Sequence, residues 1–307
     1  KKIIDNTNIY IMPTLNPDGF EKKINSTWQP SRYNANHKDL NRDFPDQFID
    51  NNESIENRQP ETKAIMKWYQ NNKIHLSLNM HSGEIVVNYP YDGPQTGVYS
   101  KTKDDNFFKF LSKQYSINNE IFKSSPFQDG ITNGSKWYSL NGGMQDWRYV
   151  FNKGFEITLE LSKEKIVPEN QIEYYWNHNK KSLIRLLEIN NSGIFINNEK
   201  TIKNLIKIQN QDTGNEIVIE NGVIPLPIGR YLIQYDSISK IIEIKDSEII
   251  SITLEKDNII TNNIESFKTG IEYYGNNVIE TSSNGNQRNK IIGFLLLIIL
   301  IFFLKKK

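Results

Sequence analysis

The chain changes character at residues 190–193, where Asn-Asn-Ser-Gly separates two kinds of patterning. Before this point, segments of helical and strand periodicity follow one another, which is typical of a sheet with flanking helices. After it, short runs rich in β-branched residues recur between Gly, Asn, Asp and Pro, which is typical of a small all-β sandwich. The sequence therefore predicts an α/β part with a mixed sheet and flanking helices, followed by a β-sandwich.

Within the first part, amphipathic spacing predicts helices and apolar runs predict strands, with a long polar loop at 28–55. The predicted helices begin at Pro60 and span Asp104–Tyr115 and Pro168–Ile189, and the predicted strands are Ile9–Leu15, Ile74–Met80 and Phe155–Leu161. For the whole chain we expect an α/β domain at 1–189, a sandwich at 190–256, a polar linker at 257–289 and a membrane anchor with a basic tail at 290–307.

The predicted anchor is an uninterrupted apolar run, Ile291–Leu304, with lysines on both sides. At about 1.5 Å per residue a helix over this run is about 21 Å long, shorter than a hydrocarbon core of roughly 30 Å, and snorkelling lysines can cover the difference. The basic tail predicts a cytoplasmic C-terminus, with the rest extracellular or in the secretory lumen. A buried core helix and a lipid-anchor signal around Ser282–Gly285 are the alternatives.

Composition excludes several classes of function. The 37 Lys and Arg residues balance 36 Asp and Glu residues, so no basic field is available to bind nucleic acid. The chain contains no cysteine, which excludes disulfides, thiolate metal sites and cysteine nucleophiles.

Three polar residues of the long loop point to recognition of a carboxylate. Arg32, Asn41 and Arg42 lie in SRYNANHKDLNRDFPD, and guanidinium groups bind a free carboxylate through paired hydrogen bonds. Each arginine taken alone is better explained as a partner in a surface salt bridge.

An acidic strand and a histidine at a strand end are further candidates. In FEITLEL the side-chain period of two places Glu156 and Glu160 on one face, where a buried carboxylate can serve as a general base. An exposed sheet face is the alternative. His81 follows a strand and precedes Ser-Gly, so its ring can project from the strand end as a metal ligand or can be structural.

Taken together, these segments resemble the zinc metallocarboxypeptidases, in particular their regulatory N/E branch. The motifs that carry the resemblance are PTLNPDGFE, RYN followed by DLNRDFPD, RQPETKAIMKW, NMHSGEIVVNYPYD, ITNGSKWY with GGMQDW, and FEITLELS. They stand in the family's order over residues 1–188, and the β-rich part that follows resembles the transthyretin-like domain of this branch. The implied fold is a carboxypeptidase-like α/β domain that lacks its N-terminal part.

The resemblance also implies a function and a role for each matching residue. The chain is expected to be a zinc-dependent enzyme that removes C-terminal Arg or Lys from peptides and proteins. His81 matches a zinc ligand, Glu160 the general base, and Arg32 the group that stabilises the oxyanion. The positions that match the substrate-binding residues of the family are Asn41 and Arg42 for the terminal carboxylate, Tyr138 as a cap, and Asp92 and Gln145 for the basic side chain.

One part of the family pattern has no counterpart in the chain. The other two zinc ligands of the family come from a His-x-x-Glu motif upstream of PTLNPDGFE, and we interpret His81-Ser82-Gly83-Glu84 as a coincidental match. We therefore expect this polypeptide by itself to be inactive and its parent protein to be active. The alternative function is a non-catalytic, carboxypeptidase-like interaction protein.

Overall fold

The structure is a computed structural model of the 307-residue chain. It describes residues 7–49, 54–72, 74, 76–102, 104–117, 119–190, 193–196, 206–212, 214, 216–219, 222–226, 229–245, 249–255, 258–264 and 300–305.

The first part of the chain alternates helices and strands as the sequence predicts. Its strands are β1 (Thr7–Met12), β2 (Lys23–Ile24), β3 (Thr27–Trp28), β4 (Leu76–His81), β5 (Glu84–Tyr89), β6 (Ile131–Asn133) and β7 (Phe155–Ser162). Its α-helices are α1 (Pro17–Phe20), α2 (Pro60–Asn71), α3 (Asp105–Ser116), α4 (Gly134–Trp137), α5 (Met144–Val150) and α6 (Ile172–Asn190). Single 3-10 turns lie at Leu40–Arg42, Glu120–Ser124, Gln128–Gly130 and Glu169–Gln171.

Strand β7 lies at the centre of the mixed sheet. It pairs in parallel with β4 on one side and antiparallel with β5 on the other, and β5 pairs in parallel with the short strand β6. Because β4 and β7 are parallel, their carboxyl ends meet at one edge, where His81 is directly opposite Glu160.

The two faces of this sheet differ in polarity. Leu76, Leu78 and Met80 of β4 join the large apolar core that includes buried residues of α3 and α6. On the other face lie Ser77, Asn79 and His81, together with Glu156, Thr158 and Glu160 of β7. A second apolar cluster from α2, α5 and the long loop covers this polar face.

The second part of the chain forms two four-stranded sheets, in the orders β10-β9-β12-β13 and β11-β8-β14-β15. The strands are β8 (Gly193–Ile196), β9 (Ile206–Asn210), β10 (Glu216–Ile219), β11 (Gly222–Pro225), β12 (Gly229–Tyr235), β13 (Ile238–Ile244), β14 (Ile249–Glu255) and β15 (Asn258–Ile264). Strand β15 corrects the start of the predicted linker at residue 257, because Ile259 is buried and the strand pairs along its length with β14. The remaining linker, 265–289, lies outside the described residues.

The end of the chain forms a sixth strand of the mixed sheet. Strand β16 (Leu300–Lys305) pairs antiparallel with both β1 and β4, so the order of the whole sheet is β1-β16-β4-β7-β5-β6. Residues 290–299 of the predicted anchor lie outside the described residues. Among the helices that the structure describes, none combines the length and the apolar composition needed to cross a bilayer.

Candidate active site

A cavity of about 310 Å³ opens at the carboxyl ends of β4 and β7. Of the residues to which the resemblance assigns a role, it brings together all except Gln145, and Glu156 does not line it either. The residues that line the cavity are Arg32, Asn41, Arg42, His81, Gly83, Asn88, Asp92, Trp137, Tyr138, Leu140, Thr158, Glu160 and Lys165. Residues that are distant in the sequence therefore form one site.

His81 is suited to bind a metal ion as a neutral imidazole. Burial lowers its pKa to about 3, and the positive charge of Arg32 acts in the same direction. Its Nε2 atom is buried and has no hydrogen-bond partner among the described residues. An unprotonated ring nitrogen without a partner at the edge of a cavity is what a zinc ion requires of a histidine.

Glu160 is buried beside His81, with 8% of its surface exposed. This burial rules out the exposed sheet face that was the alternative for Glu160. Burial also raises the pKa of its carboxyl group to about 7. Its Oε2 atom has no hydrogen-bond partner among the described residues. A carboxyl group that changes protonation near neutral pH, with an oxygen left unpaired, can act as a general base or acid.

The long loop places its three polar residues at the same cavity. Arg32 donates from Nε to Oδ2 of Asp39 at 2.7 Å, and Asp39 also accepts from the backbone N–H of Asn41 at 3.1 Å. Asn41 is buried, and its Oδ1 accepts from the backbone N–H of Met144 at 2.9 Å. The Arg42 side chain is largely exposed and donates from Nη1 to the carbonyl of Asn41 at 2.7 Å. Asp39 thus holds the loop so that cationic groups line the cavity.

Asp92 is the buried acidic group of the cavity wall. Its Oδ1 accepts hydrogen bonds from Asn88 Nδ2 at 3.0 Å and from Gln145 Nε2 at 2.8 Å. Burial raises its pKa to about 7. The glycines of ITNG and NGG make room for the carboxylate, since a Cβ atom at Gly134 would lie 1.9 Å from Oδ1 and one at Gly143 would lie 2.9 Å from Oδ2. Gln145 therefore belongs to the site through Asp92.

Tyr138 stands at the entrance of the cavity, directly after the single turn of α4. It is 37% exposed, and its ring packs edge-on against the ring of Trp137 with centroids 4.7 Å apart. An exposed tyrosine at the rim can cover a bound ligand and leave again.

Three polar lining residues, Asn88, Thr158 and Lys165, were missed by the sequence reasoning. Asn88 and Thr158 lie directly opposite each other on β5 and β7, and the alternation that singled out Glu160 also places Thr158 on its face. Lys165 donates from Nζ to the carbonyl of Ser82 at 2.9 Å, and Ser82 donates from Oγ to the carbonyl of Lys165 at 2.9 Å. This reciprocal contact was not visible in the sequence because it joins two turns that are distant in the chain.

His81 is the one histidine that the described residues bring to the cavity. His37 lies in the loop, His178 lies on α6 and bonds the carbonyl of Tyr174, and His75 lies outside the described residues. Glu84 lies on the far side of β7 from His81, consistent with a coincidental His-x-x-Glu match. Within the described residues, no three His, Cys, Asp or Glu side chains converge as a metal site would require. His81 fits zinc, and these residues supply one ligand of the set.

Comparisons with known proteins agree with this geometry. The family model described as Zinc carboxypeptidase matches residues 1–182. Carboxypeptidase D of Homo sapiens is 41% identical over 216 residues, which cover 63% of this chain and 16% of that protein. Carboxypeptidase SOL1 of Arabidopsis thaliana is 43% identical over 188 residues, which cover 60% of this chain and 37% of that protein. Carboxypeptidase M of Mus musculus is 43% identical over 206 residues, which cover 62% of this chain and 46% of that protein. The chain thus spans less than half the length of these relatives.

Proposed function

The chain belongs to the zinc carboxypeptidase family, and from this premise we propose that its cavity binds the C-terminal residue of peptides and proteins for hydrolytic removal of Arg or Lys. The observation that carries the proposal is the buried carboxylate of Asp92 in a cavity that also holds Glu160 and an unpaired ring nitrogen of His81. A buried acid attracts a basic side chain, and the other two groups are suited to peptide hydrolysis.

Substrate binding begins with the free carboxylate at the end of the peptide. Arg42 and Asn41 are adjacent on one turn and supply a charged donor fork and a side-chain amide for it. Tyr138 at the entrance packs over the bound residue. Asp92 forms an ion pair with the basic side chain, because its Oδ2 atom accepts no hydrogen bond from the described residues.

The reaction itself falls to Glu160 and Arg32. Glu160 takes a proton from the attacking water and passes it to the amine that leaves, for which a pKa near the working pH is suited. The Arg32 guanidinium lies in the same cavity and stabilises the negative charge that develops on the scissile carbonyl oxygen. His81 is the residue of this chain that would hold zinc, and the ion supplies positive charge that polarises the carbonyl and makes water more acidic.

The test uses the full-length protein with peptides that differ only in their last residue. We expect mass spectrometry to show loss of one residue from peptides that end in Arg or Lys, abolition by a zinc chelator, and little loss from peptides that end in Leu or Glu. Equal rates on all four peptides would contradict the basic specificity. Tight binding of the basic peptides with no cleavage in saturating zinc would support the non-catalytic alternative.

We also propose that the apolar end of the chain attaches the protein to a membrane, with the catalytic part extracellular or luminal. The length and apolarity of 291–304 and the flanking lysines support this. Residues 300–305 cannot cross lipid while they pair with β1 and β4, so attachment requires that this strand leave the sheet. Extraction of the full-length protein by detergent but not by alkaline carbonate is the expected result, and release by carbonate would contradict the proposal.

A further inference from the structure

A sequence motif that the proposed function does not use lies at the tip of the β2–β3 hairpin. The chain holds four Asn-x-Ser/Thr motifs, the acceptor pattern for N-linked glycans, at Asn25, Asn52, Asn133 and Asn190. The structure describes the asparagine side chain of two of them, Asn25 and Asn133. A glycan is bulky and needs solvent around it, so the surroundings of these two side chains decide which of them can carry one.

Asn25 stands on a tight and fully exposed turn. Asn25 and Ser26 are the two residues between β2 and β3, with φ angles of 50° and 62°, and a type I′ hairpin turn requires a positive φ at both of its central residues. Residues 21–27 are all exposed. The structure shows no hydrogen bond from the Asn25 amide to another described residue. The side-chain nitrogen of Asn25 is therefore open to solvent.

The base of the hairpin keeps this turn in place. Strands β2 and β3 pair along both of their residues. The indole N–H of Trp28 donates to the carbonyl of Phe20 at 2.7 Å, and the two rings pack edge-on with centroids 5.7 Å apart. The contacts that order the hairpin lie at its base, so a group attached to Asn25 displaces none of them.

Asn133 matches the same motif but is enclosed by the fold. It is 1% exposed, and its Nδ2 donates to the carbonyls of Pro90 at 2.9 Å and of Ser100 at 3.0 Å. Its Oδ1 accepts from the backbone N–H groups of Ser100 at 3.0 Å and of Lys136 at 3.3 Å. A sugar on Nδ2 would replace one of the two donating hydrogens and would find no space, so the folded chain cannot carry a glycan here.

We propose that Asn25 is an N-glycosylation site and that Asn133 stays unmodified in the folded protein. In this reaction a bond forms between Asn25 Nδ2 and the first carbon of an oligosaccharide, while the bond from that carbon to a lipid diphosphate carrier breaks. The carrier leaves with the diphosphate, and the amide gives up one proton. The inference goes beyond the proposed hydrolysis and rests on the proposed extracellular or luminal location, because the lipid-linked oligosaccharide is supplied in the secretory lumen.

The test is peptide mapping by mass spectrometry of the full-length protein made by a eukaryotic cell. Trypsin places the two motifs in separate peptides, 24–32 and 124–136, because basic residues bound each of them. We expect peptide 24–32 to carry hexose and N-acetylhexosamine, and to appear after treatment with peptide N-glycosidase with Asn25 converted to Asp. Peptide 124–136 should be found at its unmodified mass.

Thr27 offers a matched pair of variants. Thr27→Ala keeps Asn25 but removes the hydroxyl that the motif requires, so we expect the glycan to be lost. Thr27→Ser keeps a hydroxyl and should keep the glycan. Asn25→Gln removes the acceptor nitrogen from the motif and should lower the mass of the protein by one glycan. All three variants change exposed side chains, and thermal unfolding checks that each of them folds.

The readout is a mass and does not depend on hydrolysis, so this inference and the proposed reaction can fail separately. An unmodified peptide 24–32 from protein that has entered the lumen overturns the inference, and so does a glycan on peptide 124–136 of the folded protein. A glycan on peptide 24–32 that survives Thr27→Ala contradicts it as well. If the protein does not enter the lumen, the proposed location fails and the inference fails with it.

Discussion

Strand β7 carries two glutamates on one face, and the two differ in the groups that surround their carboxylates. Glu156 and Glu160 are both buried, and burial raises the pKa of each to about 7. Glu156 Oε2 accepts from Ser77 Oγ at 2.6 Å and from the Tyr69 hydroxyl at 3.2 Å, with Arg148 Nε at 3.9 Å. Glu156 Oε1 and Glu160 Oε2 are both buried without a partner among the described residues, but Glu160 faces the cavity, and no hydrogen bond to its other oxygen is seen among those residues either.

The comparison shows that the neighbouring side chains decide whether a buried glutamate has a structural or a chemical role. Residue type and strand are the same for both glutamates. Around Glu156, a phenol from α2, a hydroxyl from β4 and a guanidinium from α5 fill the space, and we call this part of the polar face the closed level. Glu160 lies near the carboxyl end of β7, where the cavity begins, and we call Glu160 and the cavity residues the open level. A buried carboxylate that receives hydrogen bonds from its own protein contributes to the fold, whereas one that receives none and faces a cavity is available to a substrate.

The largest expected loss of stability at the closed level comes from Glu156→Ala. This change leaves the Arg148 guanidinium, which is itself fully buried, without its counter-charge, and we expect a loss of about 3–5 kcal/mol in the free energy of unfolding. Urea denaturation measures it. The double variant Glu156→Leu/Arg148→Met removes both charges and should recover most of the loss. Equal instability of the single and double variants would show that the pair is not the cause.

The open level is tested by Arg32→Ala. Removing a group that stabilises developing negative charge lowers kcat by about 10²- to 10³-fold, with a smaller effect on KM. Arg32 is nearly half exposed, so its loss should change stability by less than about 1 kcal/mol. Steady-state kinetics with a peptide ending in Arg gives the result, and a rise in KM at constant kcat would assign Arg32 to binding alone.

The role of Asp92, the buried acidic group of the open level, can be tested by substitution. Asp92→Asn removes the charge that pairs with a basic side chain and keeps the shape, so we expect kcat/KM for peptides ending in Arg to fall by about 100-fold. Peptides ending in Leu should change by less than about threefold. If the two substrates lost activity equally, Asp92 would have a structural role like that of Glu156.

The smallest expected effect is a pH dependence of stability at the closed level. The folded-state pKa of Glu156 is raised above its ordinary value of 4.5 to about 7, so the stabilisation from its protonated form is full below pH 4.5 and is lost as the pH rises through 7. Each unit by which the pKa is shifted changes the free energy of unfolding by about 1.4 kcal/mol at most. Unfolding at pH 5 and pH 8 should show a smaller difference for Glu156→Gln than for the wild type, and an equal difference would contradict the shift.

Periodicity in the sequence was enough to predict the strand and the shared face of its two glutamates, because the alternation of a strand is a local property. It could not tell Glu156 from Glu160. The partners that close one level, Tyr69, Ser77 and Arg148, come from three separate segments, and only the folded chain shows which level they reach.

The same limit explains the other differences. Asn88 was passed over because an amide in an apolar strand has no signature until its partner Asp92 is located. The pairing of residues 300–305 with β1 and β4 joins the two ends of the described chain, which no local pattern can indicate. Strand β15 was assigned to the linker because Asn and Thr make up more than half of its sequence.

The most direct test of the division between the two levels is the pair Glu160→Gln and Glu156→Gln, each measured for kcat and for the free energy of unfolding in the full-length protein. We predict that Glu160→Gln lowers kcat by about 10³- to 10⁴-fold without loss of stability, and that Glu156→Gln keeps kcat within about threefold and loses stability by about 1–3 kcal/mol. A fully active Glu160→Gln, or a Glu156→Gln that is stable but inactive, would contradict the account.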